Sequence, residues 1–186
     1  MSASPRVYID GLPGSGKHDL SVAVARELGV PAHSPDSELE SLGGCDTPDA
    51  LALWLTGCCA RVYQPDPGVY VGSPETWPAL FNTRFAIDSD HVCAKIALFA
   101  VATFAVPDEP TLRVLLKADT TEQDPWYDPA TLAEFQATLE TYEAAHRPLV
   151  LNPTEMSVDE MTGAIVEALA SQPPAPAHAV PTNMLL

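Results

Sequence analysis

Positive charge is what this sequence has least of. Nine Lys and Arg stand against 25 Asp and Glu in 186 residues, a formal net charge of −16. Such a surface repels nucleic acid and anionic membranes, which argues against both as partners. It also makes each cation near a bound phosphate count. Cysteine is scarce too. Cys45, Cys58, Cys59 and Cys93 show no Cys-x-x-Cys spacing and no histidine cluster accompanies them, so no metal site is expected from them. Buried thiols in a reducing compartment are the simplest reading. A signal-peptide core is lacking at the N-terminus. The longest apolar run, Ile96 to Val106, is too short to span a bilayer. The expectation is a cytoplasmic or nuclear protein that is not secreted.

What is present is most specific near the start. Arg6-Val-Tyr-Ile-Asp-Gly11-Leu-Pro-Gly-Ser-Gly-Lys17-His18 reads as strand, glycine loop and helix start. Gly11, Gly16 and Lys17 satisfy the phosphate-binding pattern G-x-x-x-x-G-K-[ST] up to its last position, where His18 replaces the hydroxyl residue. The glycines let the backbone curl with its N–H groups turned inward, and the following helix presents its positive end to the same anion. Lys17 adds a full charge. Gly11, Leu12, Pro13, Gly14, Ser15, Gly16, Lys17 and His18 are therefore the candidate nucleotide-binding residues. A Ser or Thr hydroxyl at position 18 would hold Mg²⁺, and an imidazole is a poor substitute.

The remaining chain alternates between strand and helix patterns. Val7 to Asp10 is the first strand, and Leu20, Val24 and Leu28 mark one face of the next helix, with Gly29 ending it. Val30 to His33 is a brief second strand weakened by Pro31. Thr47-Pro48 opens a helix carrying Leu51, Leu55, Cys58 and Val62. The stretch from Gln64 to Pro78 is rich in Pro and Gly, with Val69 to Val71 as a short extended piece. Arg84 to Asp88 reads as a strand and His91 to Phe104 as a buried helix. Thr111 to Lys117 is a strand. Leu132, Phe135, Leu139, Tyr142 and His146 mark a long amphipathic helix. Pro148 to Leu151 is the last strand, and Ser157-Val-Asp-Glu160 is a capping box for a final helix with Val158, Met161, Ile165 and Leu169 on its apolar stripe.

This order predicts an α/β fold with a parallel sheet and helices on both faces, built by residues 1–170 as one domain. Residues 171–186 are Pro- and Ala-rich and read as a disordered tail. In such sheets ligands bind beyond the carboxyl ends of the strands, where Asp10, Asp88 and the loop after Leu151 fall.

The opening motif resembles that of herpesvirus thymidine kinases and their deoxynucleoside kinase relatives. Ala86-Ile-Asp88-Ser-Asp-His91, followed by an apolar helix, is similar to that family's strand ending in Asp-Arg-His or Asp-Arg-Ser. Leu112 to Lys117, Glu122-Gln123 and the helix ending in Tyr142-Glu143 resemble its lid and following helix. The opening motif is specific and the other matches are loose.

The resemblance implies a P-loop nucleoside kinase that moves the γ-phosphoryl group of ATP, with Mg²⁺, to the 5′-hydroxyl of a small-molecule nucleoside, thymidine first. It implies Lys17, Asp88 and Asp36 as catalytic residues, a virus-infected cell as the setting, and compatibility with a homodimer. Several family positions depart from the pattern. Ser89 stands where an arginine is expected, Ala32 where a catalytic Glu is expected, with Asp36 and Glu38 as nearby substitutes, and the lid is acidic. Two further readings follow. One is a catalytically impaired homologue that keeps nucleotide binding. The other is a nucleoside monophosphate kinase, which the scarcity of Arg and Lys argues against. Trp54 and Trp77 are candidates for stacking on a base, with the core as the commoner fate of such residues.

Overall fold

A computed structural model of the chain describes residues 5–35, 54, 57, 58, 61, 66–76, 111–118 and 129–172. The elements in order are β1 (Arg6–Gly11), α1 (Lys17–Leu28), β2 (Ala32–His33), β3 (Gly68–Val71), β4 (Thr111–Leu116), α2 (Pro129–His146), β5 (Leu149–Leu151) and α3 (Val158–Ala170). The strands form one five-stranded sheet in the order β2-β3-β1-β4-β5. Every pairing is parallel. The expected α/β architecture is therefore present, with β1 at its centre.

The sheet has two unlike faces, because side chains alternate along each strand. Val7 and Ile9 of β1 share a face with Val69 of β3, Leu112, Val114 and Leu116 of β4, and Leu151 of β5. α1 and α3 close this face with Leu20, Val24, Ala25, Met161 and Ile165, and together these residues make the apolar core. On the opposite face Arg6, Tyr8 and Asp10 of β1 align with Tyr70 of β3 and Arg113 of β4, and His33 of β2 aligns with Tyr70. The rings there touch in sequence. His33 stacks on Tyr70 at a centroid distance of 4.8 Å, and Tyr70 meets Tyr8 at 5.5 Å. β1 is buried throughout but not uniformly apolar. Half of it is core and half is a buried polar row.

α2 serves the polar face. Phe135, Leu139 and Tyr142 are buried, while His146, the last member of the expected stripe, is exposed and meets Tyr142 ring to ring at 5.1 Å. Local signals place the ends of the other helices. Gly29 takes a left-handed conformation at the end of α1, and its N–H reaches Ala25 and Arg26 carbonyls. Ser157 and Glu160 form the expected capping box at α3, with Glu160 Oε2 accepting from Ser157 N–H at 2.8 Å. Val158, by contrast, is exposed.

Two boundaries moved for a physical reason. β2 starts only at Ala32, since Pro31 has no N–H to give to the ladder; its carbonyl still accepts from Val69 N–H at 2.9 Å. The neighbour of β1 is β3, from the stretch in which only a short extended piece was expected. Ile9 carbonyl accepts from Gly72 N–H at 2.9 Å to close that pairing. The strand expected at Arg84 to Asp88, the helix expected at His91 to Phe104 and the tail from Gln172's successor onward lie outside the described residues. Among the described residues no helix is long and apolar enough to cross a membrane.

Candidate functional site

The phosphate loop lies at the carboxyl end of β1, the central strand, and runs into α1. Its shape depends on glycine. Gly14 and Gly16 adopt φ of 76° and 80°, which favour glycine because a side chain would be strained there. Gly11, whose φ is 157°, is required for a further reason. A Cβ at this position would lie 2.8 Å from Ser15 Oγ and 2.9 Å from the Leu116 carbonyl oxygen, so the loop is packed directly on the end of β4. Ser15 N–H donates to the Leu12 carbonyl at 3.2 Å, closing the turn.

Gly16 is the N-cap of α1, and among the described residues no side chain caps that end. The positive end of α1 is therefore presented by backbone alone, the arrangement that suits an anion. Lys17, the first residue of α1, folds back over the loop. Its ammonium donates to the Leu12 carbonyl at 2.6 Å and to Ser15 Oγ at 3.4 Å. The expected cradle from Gly11 to Lys17 is thus assembled in one place.

His18 is exposed on the first turn of α1. Its Nδ1 lies 3.2 Å from Ser34 Oγ, and Ser34, just beyond β2, is buried. The sequence pattern flagged His18 but gave no sign of this partner. Asp36 and Asp88, expected as catalytic, lie outside the described residues, as do Ser89, His91 and Trp77. Trp54 is buried and donates its indole N–H to the Pro35 carbonyl at 3.0 Å, so it belongs to the core.

Asp10 is the residue that pattern reading placed at the strand end without a role. It is only 2% exposed. Its Oδ1 accepts from Thr76 Oγ1 at 2.6 Å and from Ser73 N–H at 3.2 Å. Its Oδ2 and the Tyr142 hydroxyl are both buried, neither has a partner of good hydrogen-bond geometry among the described residues, and the two groups lie near enough to act on each other. Burial pushes the Asp10 carboxyl above the ordinary carboxylate range, against the lowering effect of Thr76 and Ser73. Burial also pushes the Tyr142 phenol well up, and the nearby Asp10 charge adds to this. The signal that could have found the cluster was an acid closing an apolar strand. Its partners sit in the Pro- and Gly-rich stretch, which carries no periodicity.

The basic residues near the strand ends are engaged. Arg113 donates to Glu75 Oε1 at 2.7 Å. Lys117, expected to end a strand, lies just past β4 and pairs with Glu143 Oε2 at 2.6 Å. Burial acts to raise Glu75, but the hydrogen bond and charge of Arg113 prevail and hold it below the ordinary carboxylate range.

A magnesium ion, implied by the kinase resemblance, wants hard oxygen ligands in near-octahedral order. Position 18 offers an imidazole tied to Ser34 in place of a hydroxyl. Asp10 uses Oδ1 within the fold, and Glu75 is held by Arg113. No group of three or more His, Cys, Asp or Glu side chains that could hold a metal occurs among the described residues. Among the described residues, which do not include Asp36 and Asp88, the donor set at the loop does not fit a protein-held Mg²⁺.

No family model matches the chain, and no curated protein matches it by sequence. Among solved structures it is similar to shikimate kinase from Aquifex aeolicus, at 11% identity and a TM-score of 0.53, over 89% of this chain and 96% of that one. It is similar to shikimate kinase from Acinetobacter baumannii in complex with shikimate, at 11% identity and a TM-score of 0.54, over 90% and 94%. It also resembles NadR protein in complex with NR, at 16% identity and a TM-score of 0.54, over 91% of this chain and 52% of that one. At these identities the likeness is one of fold. The parallel five-stranded sheet with its helices matches the P-loop-kinase-like α/β fold of these structures. None of these three is a thymidine kinase, so the herpesvirus resemblance is supported only at the level of the P-loop kinase fold.

Proposed function

We propose that this protein is a P-loop nucleotide-binding phosphotransferase that takes ATP and acts on a small-molecule hydroxyl. The observation that carries the reading is the loop from Gly11 to Lys17, uncapped by any side chain at Gly16 and bearing the Lys17 ammonium on the loop. The chemistry asks mainly for positioning and charge stabilisation. The loop amides and the start of α1 would hold the polyphosphate, and Lys17 would follow the charge that develops on the outer phosphates. The acceptor would lie beyond the strand ends, beside the Ser73–Thr76 turn that Asp10 holds. A deoxynucleoside, thymidine first, is the finer reading, and it rests on the opening motif.

A second reading is favoured by a specific observation. His18 replaces the metal-holding hydroxyl, and Arg113 and Lys117 are both spent on carboxylates. Loss of one stabilising arginine costs phosphoryl transfer about three to five orders of magnitude. A nucleotide-binding protein with weak turnover fits these features.

The test is a thermal melt with and without ATP. At about 100 times the dissociation constant, ATP adds about 2.7 kcal/mol, which raises the melting temperature by about 5–10 °C in a chain of this size. Lys17→Ala is expected to lose most of that shift. If ATP does not move the wild-type transition, the phosphate-loop reading fails. ADP formation, measured with each deoxynucleoside, then separates the two readings. Turnover that no nucleoside stimulates selects the second.

A further inference from the structure

We propose that the loop binds the polyphosphate of its nucleotide without a protein-held metal ion, and that His18, oriented by Ser34, contacts the phosphate through its ring N–H. The inference rests on the nucleotide-binding reading and goes beyond it, since it names what replaces the missing hydroxyl. Three observations carry it. The cradle itself is intact, with Gly14 and Gly16 in left-handed conformation and Lys17 on the loop. The residue that should hold the metal is an imidazole. That imidazole is fixed from outside α1, because Nδ1 lies 3.2 Å from the hydroxyl of the buried Ser34 beyond β2.

The pairing sets the chemistry of the ring. When Ser34 donates its hydroxyl proton to Nδ1, the ring proton sits on Nε2. His18 then offers its Nε2–H as a donor at the first turn of α1. The replacement is consistent with the rest of the site. Mg²⁺ neutralises phosphate charge, and beyond its waters and the phosphates themselves the gain from the protein is the one or two oxygen ligands it adds. With Asp10 Oδ1 held by Thr76 and Ser73, its carboxyl acted on by Tyr142, and Glu75 held by Arg113, that gain is small among the described residues. A phosphate that is not neutralised by metal also interacts more strongly with Lys17 and the loop amides.

The experiment is calorimetric titration of ATP into the full chain, once with MgCl₂ and once with EDTA. Wild type should bind with dissociation constants within about threefold of each other in the two buffers. His18→Ala should weaken binding in EDTA by about 3–10-fold, the worth of one hydrogen bond to an anion. His18→Thr should restore the missing hydroxyl, so that Mg²⁺ tightens binding at least about tenfold over EDTA. His18 is exposed, so neither change threatens the fold. Tightening of wild type by tenfold or more with Mg²⁺ would overturn the proposal. An unchanged metal response in His18→Thr, or no loss in His18→Ala, would do the same. Absence of binding in both buffers would remove the nucleotide reading itself, and the inference with it.

Discussion

Thr76 Oγ1 donates to Asp10 Oδ1 at 2.6 Å across 66 positions of sequence. This bond ties the end of β1, where the phosphate loop begins, to the turn that follows β3. Ser73 N–H reinforces it on the same oxygen. The loop thus starts from a strand end that is held sideways by its neighbour.

The tie involves a carboxyl held out of water. Burial raises Asp10, so the folded chain binds its proton more tightly than the unfolded chain. Its contribution to stability therefore falls as pH rises from the ordinary carboxyl range through the raised folded value. Asp10→Asn keeps an oxygen for Thr76 and Ser73 and removes the ionisation. The variant should melt about 2–6 °C above wild type at pH 8, with the gap closing toward pH 4. Melting below wild type at pH 8 would show that the carboxylate is not a source of strain.

Gly11 and Gly14 both have positive φ, but only Gly11 also lacks room for a side chain. A Cβ on Gly11 meets Ser15 Oγ and the Leu116 carbonyl at 2.8 and 2.9 Å. Gly11→Ala should cost about 1–3 kcal/mol from this overpacking. A Cβ on Gly14 meets nothing within 4 Å, and only its φ of 76° opposes a side chain. Gly14→Ala should cost about 1 kcal/mol. Urea titration of both variants gives the comparison. Equal losses would contradict the packing of the loop on β4.

The Glu75–Arg113 pair has the opposite pH dependence to Asp10. Burial opposes ionisation of Glu75, yet Arg113 holds it below its ordinary value. Its stabilisation is therefore present above the ordinary carboxyl range and lost as pH falls through the lowered folded value. Both side chains are about 30% exposed, which limits the pair to about 1 kcal/mol. A double-mutant cycle with Glu75→Gln and Arg113→Met should show that coupling at pH 7 and a smaller one on acidification below the ordinary carboxyl range. The same coupling under both conditions would rule out an ionic origin.

Local signals determined much of this protein. The loop from Gly11 to Lys17, α1 with Gly29 at its end, and α3 with its Ser157–Glu160 box are each specified by residues close in the chain. Such features depend on backbone conformation and on hydrogen bonds between near neighbours, so the sequence alone carries them. The alternation of strand and helix likewise predicted the parallel sheet.

Only the tertiary structure decided which strand lies beside β1 and what the departures in the motif mean. β3 is four residues long in a Pro- and Gly-rich stretch, and a strand that short has no period to read. It is a strand because β1 and β2 offer it ladders on both sides. The same holds for the pairs His18–Ser34, Asp10–Thr76 and Arg113–Glu75. Each joins residues from different elements, and no spacing along the chain encodes a distance between elements. The sequence by itself identified a phosphate loop with one residue out of place. The fold showed that this residue is held by a buried serine, because the β2 end and the first turn of α1 come together only when the sheet has formed.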